Sequence, residues 1–292
     1  RSKGDSVFNM QKVTHSEYIA QKKPLAKQLL AKLNEKYQYA SVLITDNYEK
    51  GYRASRSGVA ISATNAFGGK GMIVKVYDGK GYAEYSTNEI TAENLPEIER
   101  EIEQQLMNPA NFIPEGTEEA EYKCISDEPC TLCEATDYEI HPREVGDEKL
   151  IETVTALREK AVKADERILD AITGFIYQEY HKLFLSANRE LEQSVLYSTG
   201  IMALVAAKGE EIKQSFRGFS NLGGAELLDK MESAIPQCVK TVTDLLNAEP
   251  MEPGTYECIC TPEVTGMIVH EAFGHGVEMD MFVKDRALAQ SY

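Results

Sequence analysis

Between residues 167 and 220 the chain lays down three extended runs in succession, "RILDAITGFIYQEYHKLFLSAN", "SVLYSTGIMALVAAKG" and "EEIKQSFRGFS", with no helix between them. Strands that follow one another across short turns fold back antiparallel, whereas a doubly wound parallel sheet needs a helix after each strand. A helical stretch, "DEKLIETVTALREKAVKA", precedes the runs, and another, "GAELLDKMESAIPQCVKTVTDLLNA", follows them with a kink expected at Pro236. The predicted class is therefore α+β, with helices packed on antiparallel sheet.

The N-terminal part shows the same order. Residues 16–36 place Tyr18, Ile19, Leu25, Leu29, Leu30 and Leu33 at helical intervals, and Pro24 predicts a break or a later start. "YASVLIT", "SGVAISAT" and "GMIVKVYDGKGYAEYST" read as strands, the last as a hairpin turning at Asp78-Gly79-Lys80-Gly81. A second helix, "TAENLPEIEREIEQQLM", has Thr91 as its expected N-cap. Residues 108–146 hold four of the ten prolines, many acids and three cysteines, and read as a linker or surface excursion. The expected organisation is an α+β unit at 1–107, this linker, a second α+β unit at 147–250, and a strand with a metal-motif helix at 251–292. Helix, strands, helix thus occurs twice, which suggests a duplication, although no residue-level identity links the halves.

With 292 residues, 42% of them hydrophobic, the chain can build one large or two medium cores. No apolar run approaches the roughly 20 residues needed to span a bilayer, so no membrane role is expected. A net charge of −16 repels phosphate backbones and argues against nucleic-acid binding. The five lysines of residues 21–36 read as the solvated face of a helix. "FGGKG" and "NLGG" lack the residues of a phosphate-binding loop and read as turns. The chain begins at Arg1 rather than Met, which leaves an upstream export signal open.

Six cysteines fit reduced thiols in a cytoplasmic protein. Cys124, Cys130 and Cys133 with His141 have the donor types of a Cys3His zinc knot, but the second C-x2-C pair is missing. Cys258 and Cys260, two apart in the extended "GTYECICT", are expected on one buried face of a strand.

"TGMIVHEAFGHGVEMD", residues 265–280, carries His270, Glu271 and His275. Histidines at i and i+4 share one helix face, but a pair five apart lies roughly 140° apart on a regular α-helix and cannot hold one ion. A π-type turn removes the mismatch, and so does a helix end with a tight turn. Gly274 and Gly276 flank His275 and permit either distortion. Two neutral imidazoles suit Zn²⁺ with a third protein ligand and a water. Glu271 would then take the proton of that water as general base. Glu278 or Asp280 would orient a ligand imidazole. Rings pointing apart in a regular helix would instead mark a purely structural domain.

The same stretch closely resembles the signature of the TldD/PmbA family, H-E-x-x-x-H followed by G-x-E-x-D, here His270, Glu271, His275, Gly276, Glu278 and Asp280. "YRASRSGVAISA" and "KGYAEYSTNEIT" resemble the family's N-terminal strands. The resemblance implies a zinc metallopeptidase with His270 and His275 as ligands and Glu271 as base. It implies unfolded peptides or small proteins as substrates, bound extended in a closed dimer. The His-Glu motif points to the TldD-type subunit, paired with itself or with a PmbA-type chain. Family members continue into a C-terminal domain whose cysteine is the third ligand, whereas this sequence stops at Tyr292, seventeen residues after His275. Cys258 or Cys260 is the only substitute near the motif, and a two-ligand chain is expected to bind zinc poorly. The alternative expectation is a non-catalytic interaction or regulatory subunit of a peptidase or gyrase-associated complex.

Overall fold

The computed structural model describes residues 10–63, 69–107, 124–283, 286 and 291, so residues 108–123 of the expected linker, and Phe67 and Gly68 of one glycine-rich turn, lie outside the described residues. The chain divides into two units, residues 1–248 and 249–292.

In the first unit, β1 (Gln11–Lys12) leads into helix α1 (Glu17–Lys36), then β2 (Tyr39–Ser55), β3 (Gly58–Ala63), β4 (Lys70–Tyr77), β5 (Tyr82–Thr87) and α2 (Leu95–Leu106). Next come β6 (Cys130–Ala135), β7 (Asp137–Tyr138), the single turn α3 (Pro142–Val145) and α4 (Asp147–Lys163). Three long strands, β8 (Ile168–Ser186), β9 (Arg189–Lys208) and β10 (Glu211–Leu222), precede helix α5 (Leu227–Leu245). The fold is α+β. Both halves of the sequence feed a single eight-stranded sheet, ordered β10-β9-β8-β2-β4-β5, with β3 on β2 and β6 on β9. All its pairings are antiparallel except that of β6 with β9.

Local signals explain most element ends. Ser16 caps α1, its Oγ accepting from the Ile19 amide at 3.1 Å. Asp78 closes the β4–β5 turn by accepting from the Lys80 and Gly81 amides. The break or later start expected at Pro24 does not occur. α1 runs through Pro24 and α5 through Pro236, because apolar residues on both sides of each proline are buried: Ile19, Ala26 and Leu29 in α1, Met231, Ile235 and Cys238 in α5. Thr91 is not the cap of α2. It exchanges side-chain–backbone hydrogen bonds with Asn94, and the helix begins one residue later, at Leu95.

Two hydrophobic clusters cover one face of the sheet. Ala40, Val42 and Ile44 of β2 pack with α1 and α2, and Tyr52 and Ala54 of the same strand pack with α4 and α5. These β2 residues are all even-numbered and so share a face. Between the clusters the covered face turns polar. Asp46 is paired in register with His181, Tyr48 with Glu179, and His181 again with Ser194 across β8 and β9.

The second unit contains helix α6 (Pro262–Val269), a π turn at His270–Gly274, a 3-10 turn at His275–Val277 and α7 (Met279–Val283). The expected strand "GTYECICT" is absent: residues 255–261 carry no regular structure. A strand exists only through a hydrogen-bonded neighbour, and among the described residues the unit offers none. Cys258 and Cys260 are accordingly exposed rather than buried. The apolar residues Met267, Ile268, Val269 and Phe273 are also exposed.

Candidate metal centre

Helix α6 starts at Pro262, a residue suited to a helix's first position because its missing amide hydrogen has no partner to lose there. It winds regularly to Val269 and then widens. The amide of His275 donates to the carbonyl of His270, an i+5 to i bond in place of the α-helical one. This is the first of the two remedies, and it carries the second imidazole round to the side of the first. The ring centroids lie 4.6 Å apart with planes inclined at 70°.

Gly274 does not pay for this with an unusual backbone, since φ −55° and ψ −53° are ordinary helical angles. The turn is made by the hydrogen-bond pattern rather than by glycine's access to left-handed conformations.

Glu271 stands between the rings. Its Oε1 is 3.8 Å from His270 Nε2 and its Oε2 is 3.7 Å from His275 Nε2. Glu278 lies on the far side of His275, with Oε1 2.7 Å from Nδ1. Of the two acids considered for this role, Glu278 meets the His275 imidazole. A carboxylate there accepts the Nδ1 hydrogen and leaves the Nε2 lone pair directed at Glu271 and His270. His270, Glu271 and His275 each offer one donor atom within 4.8 Å of the others. Nitrogens sharing one tetrahedral zinc lie about 3.3 Å apart, given zinc–nitrogen bonds near 2.0–2.1 Å. The donor set, two imidazoles beside a carboxylate, suits zinc chemically. All three side chains are exposed.

No cysteine joins this group among the described residues. The other donor set considered, Cys124, Cys130 and Cys133 with His141, does not assemble either. His141 faces Glu179, with Nε2 3.7 Å from Oε1, while Cys133 meets a different histidine, His15, at 3.4 Å. The three histidines outside the motif, His15, His141 and His181, thus gather around the polar seam of the sheet. The alternation Glu179-x-His181 on one strand face was the signal for this in the sequence.

No protein-family model matches the chain. A metalloprotease of Archaeoglobus fulgidus is 30% identical over 111 residues, covering 37% of this chain and 26% of that protein. A metalloprotease of Methanocaldococcus jannaschii is 20% identical over 261 residues, covering 88% of this chain and 55% of that protein. The chain spans about half the length of that second relative and a smaller part of the first.

Among solved structures, a protein of Bacteroides thetaiotaomicron described as a modulator of DNA gyrase superposes with a TM-score of 0.62 at 16% identity, over 87% of this chain and 56% of its own. TldE of Thermococcus kodakarensis gives 0.53 at 13% identity, over 75% of this chain and 47% of its own. These structures share the fold, and the curated relatives are metalloproteases. The TldD/PmbA resemblance read from the motif is borne out.

Proposed function

We propose that the chain carries the zinc-binding motif of a TldD-type metallopeptidase, with His270 and His275 as ligands and Glu271 as general base. The convergence of two imidazoles on a carboxylate through a π turn carries this reading, because a helix without that turn would separate them. Zinc, when bound, supplies an acidified water and polarises the scissile carbonyl. Glu271 would take the proton from such a water on Oε1 or Oε2 and return it to the leaving amine. Glu278 holds His275 in the tautomer that keeps Nε2 unprotonated. Substrates on this reading are unfolded peptides or small proteins. The working assembly is a dimer in the cytoplasm, with a second copy or a PmbA-type chain as partner. The fold shared with TldE and six free thiols support that assignment.

Glu271→Gln separates base from ligand. With zinc kept in excess in the assay, peptide cleavage is expected to fall by about 10²-fold or more, the scale of general-base catalysis, while the affinity for added zinc is held. Cleavage that survives the change removes Glu271 from the mechanism. The 292-residue chain itself, with no thiolate beside the imidazoles among the described residues, is expected to lose its zinc on dialysis. Retention of one equivalent would contradict that.

A further inference from the structure

We propose that Cys133 is a reactive thiol, activated by His15 through a relay of Ser194 and His181 that faces the carboxylate of Glu179, and that it forms mixed disulfides with small-molecule disulfides. Cys133 is exposed on β6, and its Sγ lies 3.4 Å from His15 Nε2. The other nitrogen of that ring, Nδ1, is 2.9 Å from the Oγ of Ser194, which is 1% exposed. The same Oγ is 2.9 Å from His181 Nδ1. His181 Nε2 in turn faces Glu179 Oε2 at 3.6 Å. A surface sulfur is thereby connected to a buried carboxylate through two imidazoles and one hydroxyl.

The direction of the relay follows from proton counting. A serine hydroxyl has one hydrogen and two lone pairs, so beside two ring nitrogens it donates to at most one and accepts from the other. Glu179 decides which. Arg143 Nε stands 2.7 Å from its Oε1, and His141 Nε2 stands 3.7 Å away. Burial works to raise the Glu179 pKa, but His181, Arg143 and His141 outweigh it and hold the carboxyl below its ordinary range. An ionised Glu179 has no hydrogen to give, so His181 presents its Nε2 hydrogen to it and keeps Nδ1 as an acceptor. Ser194 then donates to His181 and accepts from His15 Nδ1. The Nε2 of His15 is left with a lone pair, and that nitrogen is the one beside the Cys133 thiol.

The Cys133 proton passes to His15 Nε2, and the resulting imidazolium has Glu192 Oε1 3.7 Å from its Nδ1. Lys23, 2.9 Å from the other oxygen of Glu192, tempers that carboxylate without removing it. The thiolate attacks one sulfur of the small disulfide. A Cys133–sulfur bond forms, the original disulfide bond breaks, and the departing thiolate takes the proton back from His15.

Cys130 supplies the internal control. It is exposed on the same strand, three residues away and so on the opposite face, with no imidazole contact among the described residues. Reduced protein would be incubated with oxidised glutathione near neutral pH, quenched in acid and mapped peptide by peptide. Cys133 is expected to form the adduct about tenfold faster than Cys130, in line with thiolate control of exchange. His15→Asn should bring the two rates within about twofold, and Ser194→Ala, which releases the His15 tautomer, should slow Cys133 several-fold. Cys130 should be unmoved in both variants. Equal rates in the unaltered protein overturn the proposal with no variant needed. A lead for Cys133 that survives His15→Asn does the same.

Discussion

Gly224 and Gly274 both sit in short sequence motifs, and only one of them needs to be glycine. At Gly224 a Cβ would lie 2.0 Å from the carbonyl oxygen of Ile140, the same oxygen that accepts from the Ala225 amide at 2.8 Å. Backbone stands in the way, so a methyl group cannot be absorbed by a rotamer change. Gly224→Ala is expected to cost about 2–3 kcal/mol of stability, the scale of overpacking against an unyielding wall. At Gly274 a Cβ would meet Val269 O at 3.8 Å and His270 Nδ1 at 3.9 Å, both ordinary contacts, in a helical backbone. Gly274→Ala should leave stability unchanged or improve it by up to about 1 kcal/mol, since alanine loses less backbone entropy in a helix. Urea unfolding of the two variants side by side tests the contrast. If Gly274→Ala proved the more damaging, the π turn would depend on that glycine after all. Sequence alone did not separate these cases. "NLGG" and "FGHG" look alike on paper, and what distinguishes them is a carbonyl 84 residues distant in the chain, 140 against 224.

Elements whose cause is local were legible in the sequence, and those whose cause is a distant neighbour were not. The hairpin at 78–81 follows from its own Asp and Gly, and β8, β9 and β10 follow from long β-rich runs joined by short turns. The strand β6 could not be foreseen, because it exists by pairing in parallel with the start of β9, some sixty residues later (Cys130 with Arg189). The strand read into 255–261 failed for the complementary reason, having no partner among the described residues of its unit. The prolines show tertiary burial overriding a local preference. Pro24 and Pro236 are exposed while the residues around them are buried. Each leaves one helical carbonyl without its usual donor. Pro24→Ala and Pro236→Ala are therefore expected to stabilise the protein, each by about 1–3 kcal/mol if the helix recovers most of the proline penalty. Either variant unfolding at lower urea concentration than the parent would show that the helix is built around its proline rather than in spite of it.

At the scale of the first unit, one sheet face carries two apolar clusters with a seam of charge and imidazole between them. Strand spacing accounts for the clusters, because Val42, Ile44, Tyr52 and Ala54 share one face of β2. It did not foretell the seam. His15, His141, His181, Glu179 and Ser194 come from four separate stretches of sequence, and only His181 and Ser194 are matched by strand register. The seam sets how stability responds to acid. Burial holds the His141 imidazole below its ordinary value of 6.5, only partly opposed by Glu179. The folded state therefore binds this proton more weakly than the unfolded chain, so the stability contribution is intact above pH 6.5 and drains away as pH falls below it. Glu179, with its pKa lowered from 4.5, adds stability above pH 4.5 that is lost as pH falls through its depressed folded value. Asp147, lowered chiefly by its hydrogen bonds from Lys50 and Tyr52, belongs to the same lower limb. Stability is thus expected to decline in two stages as pH drops, the first owed to an imidazole and the second to carboxylates. His141→Asn should flatten the first stage and spare the second. Asparagine also preserves the cap that His141 provides to α3 by accepting from the Arg143 amide. Urea midpoints across the range would decide the matter, and an unaltered slope just below pH 6.5 in the variant would remove His141 as the source.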